Sequence, residues 1–162
     1  MDGFGTETRS HVSIKNTHVI DGDDCVSFKN GSNFITGNNI TCMGSHDLSV
    51  GSLRLQTGFP YIARNIYVSN AKMINCTPAI HIQFFPDDPS RRIVLVSNVT
   101  DKDVTVDNCY ESNHTACMDY SLTAELTKTE FINITGKTSL KYNPKVAKIY
   151  CPPSGTCDIT FT

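Results

Sequence analysis

The feature that most constrains this chain is a recurring unit made of a short strand-like run that ends in asparagine. Its four copies lie at residues 12–16, 34–38, 66–70 and 104–108. Ile14 and Ile35 are 21 residues apart, and loops lengthen the later intervals. Repeats of about 20 to 25 residues built from strands and turns are typical of solenoids. We therefore predict an all-β, right-handed parallel β-helix, in which asparagines at equivalent turns hydrogen-bond along the axis.

Short strand-like runs extend through the whole chain, and helix signals are scarce. Most runs alternate apolar with small or polar residues and are bounded by Asn, Gly, Asp or Ser, which is typical of strands. They lie at residues 12–14, 25–28, 34–36, 48–50, 66–68, 80–82, 104–106, 117–120 and 131–134. The best helical period, at residues 121–129, is short and rich in threonine. A β-sandwich is the alternative, because short strands separated by hairpins such as Asn30-Gly31 also describe it.

Length and charge restrict the architecture and the partners. With 162 residues the chain has the size of one domain with its own core, so we predict a single domain over residues 1–162. The formal net charge of −2 gives no reason to expect nucleic acid or an anionic membrane as a partner. No apolar run approaches the roughly 18 residues of a membrane span. We expect a monomer.

Six Asn-x-Ser/Thr sequons indicate an extracellular protein with glycosylated turns. The candidate sites are Asn30, Asn39, Asn75, Asn98, Asn113 and Asn133. The first five residues nevertheless contain neither the basic nor the apolar region of a signal peptide. We therefore expect this chain to be the carboxy-terminal part of a longer secreted protein, with a β-helix that is incomplete at its amino-terminal end.

The seven cysteines also favour an oxidising compartment. Sequential pairing would give three disulfides with short loops and leave Cys76 single; the pairs would be Cys25 with Cys42, Cys109 with Cys117, and Cys151 with Cys157. Sequence alone does not determine this connectivity, and reduced, buried cysteines of a cytosolic protein are the alternative. Neither Cys-x-x-Cys nor His-x-x-x-His occurs, so we predict no metal site and no cofactor.

A group of acidic residues lies at spacings that match one turn of such a solenoid. Asp2 precedes Asp23 by 21 residues, and His46 follows it by 23. Coils stack about 4.8 Å apart, so these side chains would meet at one surface. Adjacent strand residues point to opposite faces, but the preceding Asp21-Gly22 can supply a bend that lets Asp24 join the group. Each residue alone would be a solvated turn or surface residue, and the joint spacing favours a functional site.

Such a cluster suits the hydrolysis of a glycosidic bond. An inverting glycosidase needs one protonated carboxyl group against the leaving oxygen and one carboxylate that activates water. Several carboxyl groups in one place also raise the pKa of one of them, because they do not easily ionise together.

In three motifs the residues resemble the polygalacturonases, glycoside hydrolase family 28. Residues 1–4 resemble the end of the family's Asn-Thr-Asp-Gly-Phe motif, and residues 22–26 and 42–52 match its Gly-Asp-Asp-Cys and Gly-x-His segments in order and spacing. Residues 139–151 are similar to the end of fungal exo-acting members, so the resemblance covers essentially the whole chain. It implies a right-handed parallel β-helix that needs no metal.

The resemblance also implies a role for each residue of the cluster. Asp23 would be the general acid, while Asp2 and Asp24 would hold and deprotonate the attacking water. His46 would support the protonation of the acid or the binding of substrate. Cys25 and Cys42 would form the disulfide that brackets this coil.

Two departures from the family pattern affect substrate binding. The family's Gly-His-Gly is Ser-His-Asp here, which places the extra carboxyl group of Asp47 beside the histidine. The family's Arg-Ile-Lys, whose cations bind the substrate carboxylate, aligns with residues 81–83, so that His81 and Gln83 replace the cations. Arg91 and Arg92 follow in a loop and are the nearest cations that could substitute for them.

The expected function is therefore that of a secreted hydrolase that cleaves α-1,4-galacturonosyl linkages of pectin with inversion, and the resemblance favours exo action. The first alternative is a hydrolase of rhamnogalacturonan or another pectic polymer, because the cation pair is replaced. The second alternative is a truncated remnant that binds polysaccharide without cleaving it.

Overall fold

The structure is a computed structural model, and it describes residues 1–53, 61–84, 93–110, 123–141, 146–147, 149, 151 and 154–162. The described residues form ten β-strands and no helix. The strands are β1 (Phe4–Gly5), β2 (Ser10–Ile20), β3 (Val26–Phe28), β4 (Asn33–Met43), β5 (Leu48–Leu53), β6 (Tyr61–Ile74), β7 (Ile80–Phe84), β8 (Ile93–Cys109), β9 (Thr123–Thr138) and β10 (Ser154–Phe161).

The strands form two parallel sheets, and both run along the axis of the same solenoid. The short strands make a four-stranded sheet in the order β1-β3-β5-β7. The long strands make a six-stranded sheet in the order β10-β9-β8-β6-β4-β2. Each short strand is followed by a long one in the next sheet, so one coil of the solenoid contributes a strand to each. The β-helix prediction is therefore confirmed, and its right-handedness agrees with the rule for parallel crossovers. The β-sandwich alternative is wrong, because every strand pair within the described residues is parallel.

Left-handed residues bend the long strands at equivalent positions. One column of such residues, with φ between 51° and 55°, comprises Asn16, Asn39, Asn70, Asp103 and Asn133. Asparagine and aspartate tolerate this backbone conformation better than other residues with a side chain. The Nδ2 atom of Asn39 donates to Oδ1 of Asn16 at 2.8 Å, and that of Asn133 donates to Oδ1 of Asp103 at 2.7 Å. The predicted asparagine stacking is confirmed, and it joins successive coils at their corners.

The column shares Asn16 and Asn70 with the asparagines that mark the sequence repeat but not the other two, since Asn108 donates to Asn75 instead. Asn39 rather than Asn38 stacks on Asn16, because Lys15 pairs with Asn38 and Thr17 with Ile40. The side chain of Asn38 instead donates to Oγ of Ser69. Residues 123–129 of the weak helix candidate form part of strand β9 and not a helix.

The core fills the interior between the two sheets with stacked aliphatic side chains. Equivalent positions of neighbouring coils pair, as in Ile35 with Ile66 and Ile66 with Val99. These three side chains are at most 1% exposed. Each aliphatic side chain removed from water in this way contributes roughly 1.5–3 kcal/mol. The apolar residues of the repeat therefore hold the coils together from inside.

Two disulfides lie within the described residues, and one predicted pairing is wrong. Cys25 is bonded to Cys42, and Cys151 to Cys157. Cys109 is a buried free thiol rather than the partner of Cys117, which lies outside the described residues. The inward position of Cys109 at the end of β8 explains the difference, because its sulfur accepts the backbone N–H of Cys76 at 3.2 Å. Among the described residues, no helix is long and apolar enough to cross a membrane.

Candidate active site

The turns that lead into the short strands bring the predicted site residues together. Phe4 pairs with Val26, and Val26 pairs with Leu48. Asp2, Asp24 and His46 each lie two residues before these paired positions, so they stack on three neighbouring coils. Backbone bonds hold the turns in this register, because Gly3 N donates to Asp24 O at 2.8 Å and His46 N donates to Asp23 O at 2.7 Å. The stacking that the spacing predicted is present in the structure.

A glycine allows the first of these coils to lie against the second. A Cβ atom on Gly3 would be 2.7 Å from the carbonyl oxygen of Cys25 and 2.6 Å from Cγ1 of Val19. Such contacts are too short for any real side chain, so only glycine permits this approach. Asp2 is thereby held beside the turn that carries Asp24.

The histidine lies between the two adjacent aspartates. Its Nδ1 is 3.7 Å from Oδ1 of Asp23 and 3.7 Å from Oδ1 of Asp24. Asp23 and Asp24 precede β3 in a segment that is not a strand, which lets both side chains reach the same surface. The side chain of Asp23 is 41% exposed and that of Asp24 is 18% exposed, so the first faces solvent and the second lies deeper.

The pKa values of the two aspartates are shifted in opposite directions. A hydrogen bond to the ammonium group of Met1, 2.9 Å from Oδ2, is the main cause that lowers the pKa of Asp23. That ammonium exists only where Met1 is the first residue; with residues before it the nitrogen is an uncharged amide. Burial, followed by the neighbouring carboxyl group of Asp47, raises the pKa of Asp24 to about 7.

The carboxyl group of Asp2 is paired with a cation. Oδ2 of Asp2 lies 2.5 Å from Nζ of Lys29, which follows β3 on the next coil. This contact is the main cause that raises the pKa of Lys29. A carboxyl group paired with a lysine, a deeper carboxyl group with a raised pKa and an exposed one therefore stand side by side on this surface.

Asp47 adds a fourth carboxyl group that the sequence pattern did not assign to the site. It is only 2% exposed, and its Oδ2 lies 3.2 Å from Nδ1 of His81 on β7. The signal was the replacement of the second glycine of the family's Gly-His-Gly by aspartate. Gln83 lies two residues beyond His81 in the same strand, so the predicted substrate-binding pair shares one face of β7.

The cluster is compact enough to contact a single cation. One ligand atom each from Asp23, Asp24 and His46 lies within 4.8 Å of the others. Exposed acidic groups of this kind are common without a metal. Acid–base hydrolysis of a glycoside requires only carboxyl groups.

The remaining predicted residues lie on the long sheet, in the turns next to it, or outside the described residues. The Nδ2 atoms of three sequon asparagines donate to neighbouring coils, and these residues are Asn39, Asn98 and Asn133. Oδ1 of Asn30 and of Asn75 accepts a hydrogen bond, from Ile62 N and from Asn108 Nδ2. Asn113, Arg91 and Arg92 lie outside the described residues.

Taken together, the parallel β-helix and the carboxyl groups stacked on its short sheet define a solenoid protein of the polysaccharide-hydrolase type. The family model for glycosyl hydrolases family 28 matches residues 1–161. The chain belongs to this family.

Known members of the family align with nearly the whole chain. It is 39% identical over 170 residues to the endo-xylogalacturonan hydrolase A of Aspergillus tubingensis, and 39% identical to a probable enzyme of the same name from Aspergillus niger. In both cases the alignment covers 99% of this chain and 41% of the relative, so the chain spans less than half of their length. The crystal structure of the Aspergillus tubingensis enzyme superimposes with a TM-score of 0.88 at 38% identity, over 99% of this chain and 45% of that one.

Proposed function

We propose that this chain carries the catalytic carboxyl groups of a secreted, endo-acting hydrolase of pectic polysaccharide, with a xylose-substituted galacturonan as the substrate. The observation that carries the proposal is that Asp2, Asp24 and His46 stack on three successive coils of a family 28 β-helix, with His46 3.7 Å from both Asp23 and Asp24. The relatives named endo-xylogalacturonan hydrolases support this substrate and favour endo over the exo action expected from the sequence.

The replacement of the family's cations supports a substrate other than plain polygalacturonate. His81 faces Asp47 at 3.2 Å, so its imidazole is directed toward a carboxylate of the protein. A histidine carries charge only when it is protonated, and it offers no bidentate contact to a uronate group. The names of the relatives make xylogalacturonan our first substrate, and polygalacturonate and rhamnogalacturonan are the comparison substrates in the assay.

The general acid has two candidates within the cluster. Asp23 is the acid that the family resemblance implies, and its exposure lets it reach a glycosidic oxygen. The raised pKa of Asp24 favours the second assignment, in which Asp24 holds the proton and Asp2 receives one from water. In both assignments the reaction consumes one water molecule, whose oxygen joins the anomeric carbon while its hydrogen goes to the leaving oxygen through the carboxyl groups.

Variants of the two aspartates test the proposal and separate the assignments. We expect Asp23→Asn and Asp24→Asn to lower kcat on xylogalacturonan by roughly 10²- to 10⁴-fold, the size of a general acid–base contribution. An aryl glycoside with a good leaving group needs no acid, so it should restore turnover in the variant that lacks the acid and not in the other. Full activity of both variants on the polymer would reject the catalytic site and favour a binding remnant.

The anomer of the first product tests the stereochemistry. We propose inversion, on the family relationship. The nearest ligand atoms of Asp23 and Asp24 lie within 4.8 Å, whereas the carboxyl groups of inverting enzymes are about 6.5–9.5 Å apart. Proton NMR of the reducing end immediately after cleavage distinguishes the outcomes, since release of the α-anomer from an α-linkage would contradict inversion.

A further inference from the structure

The carboxyl group of Asp47 is buried in an unusual environment for an acidic side chain. It is 2% exposed, and its Oδ1 is buried with no hydrogen-bond partner among the described residues. Burial of a polar or charged group without compensation is costly, so a side chain that contributed only to packing would more simply be apolar. The family motif has glycine at this position, which shows that the coil does not require a carboxyl group here.

Backbone hydrogen bonds hold Asp47 beside the turn that carries Asp24. Its carbonyl oxygen accepts hydrogen bonds from Cys25 N at 2.9 Å and from Val26 N at 3.3 Å. Cys25 is also bonded to Cys42, so the neighbouring turn is held covalently. Asp47 therefore lies directly above the turn that carries Asp24, in a fixed register.

The side chain of Asp47 connects two parts of the candidate site. On one side its Oδ2 contacts Nδ1 of His81 at 3.2 Å. On the other side it lies next to Asp24, close enough for a hydrogen bond between the two carboxyl groups to affect the titration of Asp24. The imidazole on β7 and the carboxyl group before β3 are thus linked through one buried residue.

We propose that Asp47 is a positioning residue of this site, which holds His81 through Oδ2 and, as a fixed negative charge beside Asp24, keeps a proton on Asp24. This inference rests on the proposed function, because Asp24 must take part in the reaction for its proton to matter.

Other ionisable groups also surround Asp24, and they differ from Asp47 in exposure. Asp2 from the preceding coil acts on it as a further negative charge, while Lys29 is the nearby cation on its own coil. Asp23 and His46 are in contact with each other, and both are more than 40% exposed, so water weakens their effect. Burial makes Asp47 the neighbour with the strongest influence, after desolvation itself.

The test is the pH dependence of kcat/KM in full-length protein with Asp47→Asn. The amide keeps the size of the side chain and an oxygen that can accept from His81, but it removes the charge. Loss of the like charge lowers the pKa of Asp24. The limb of the pH profile that Asp24 controls should therefore move to lower pH by about one unit. At a pH on that limb, this shift is equivalent to a tenfold change in kcat/KM.

Asp101→Asn is the matched control. Asp101 is another buried aspartate with a pKa raised to about 7, but it lies on β8 and burial is the cause of its shift. Removing its charge should leave the pH profile of kcat/KM unchanged. A similar shift in both variants would show a general effect of charge and would overturn the proposal.

A second variant, Asp47→Gly, introduces the family residue and should move the limb in the same direction. An unshifted limb in either folded variant would overturn the proposal, as would failure of both variants to fold, since Asp47 would then be a folding requirement. Asp24→Asn separates this failure from that of the proposed function. If Asp24→Asn is active, the catalytic assignment itself is wrong. If Asp24→Asn is inactive while the pH profile of Asp47→Asn is unshifted, only the role of Asp47 is rejected.

Discussion

The two sheets of this solenoid use polar residues in opposite ways. On the long sheet, stacked asparagines satisfy one another, as between Asn65 and Asn98, and they join successive coils. In the turns that lead into the short sheet, the neighbouring polar residues are acidic, and they repel one another or pair with a histidine. Equal spacing of coils thus stabilises one side of the molecule and creates a site with shifted pKa values on the other. Repetition alone therefore does not make a functional surface. The charge of the repeated residue decides whether the stack stabilises the fold or forms a site.

Asp101 lies on β8 of the long sheet, and its replacement should have the largest effect of the variants below, on the free energy of unfolding. Burial raises its pKa from 3.8 to about 7 in the folded state. The folded chain binds this proton more tightly than the unfolded chain. The free-energy cost of ionising the buried carboxyl group is therefore absent below about pH 4 and complete above about pH 7. We expect Asp101→Asn to raise the free energy of unfolding by about 4 kcal/mol at pH 7.5, at about 1.4 kcal/mol for each unit between the folded and unfolded pKa values.

Denaturant unfolding at pH 3.5 and at pH 7.5 measures this effect. The variant and the parent should have the same stability at pH 3.5, because Asp101 is protonated in both the folded and the unfolded parent. Equal stability at both pH values would show that the buried carboxyl group is compensated, and would make the two sheets more alike than we propose.

The asparagine column predicts a smaller effect at the corners of the long sheet. Asn39→Gly removes the hydrogen bond to Asn16 but keeps the left-handed backbone accessible, so it should destabilise the fold by about 1 kcal/mol. Asn39→Ala also loses that conformational freedom and should cost about 1–2 kcal/mol more. Thermal unfolding of the two variants separates the hydrogen bond from the backbone effect. If the two variants are equally stable, the left-handed conformation does not explain the column.

Glycan occupancy is the smallest expected effect, since it changes neither the core nor the site. Attachment of a sugar replaces one of the two hydrogens of Nδ2 and places a bulky group between corners that stack about 4.8 Å apart. We therefore expect Asn75, whose Nδ2 has no partner among the described residues, to be glycosylated, and Asn39 to be unmodified. Mass spectrometry of glycopeptides from protein expressed through a eukaryotic secretory pathway measures both. A fully occupied Asn39 with an unmodified Asn75 would contradict the argument.

Several features were predictable because they repeat at the period of the coil. The aliphatic residues around Ile35 and Ile66 indicated stacked strands, and the spacing of Asp2, Asp23 and His46 indicated one shared surface. The bend after Asp21-Gly22 explains why adjacent aspartates reach the same side. In each case a sequence interval of about one coil corresponds to a step of one coil along the solenoid axis.

Other features depend on register and depth, which a linear pattern does not contain. Asn39, not Asn38, stacks on Asn16, because a shift of one residue in pairing changes which side chains meet. Cys109 lies inside the coil beside Cys76, so proximity in sequence to Cys117 did not decide its partner.

The sequence by itself determined the repeat, the parallel architecture and the order of the acidic residues, because these depend on spacing along the chain. The tertiary structure decided which carboxyl group is buried and what it contacts. Asp47 lies between Asp24 and His81 because three coils stack there and the turn directs its side chain inward. Burial and neighbouring charge, which set the pKa of Asp24, exist only once those coils are in place.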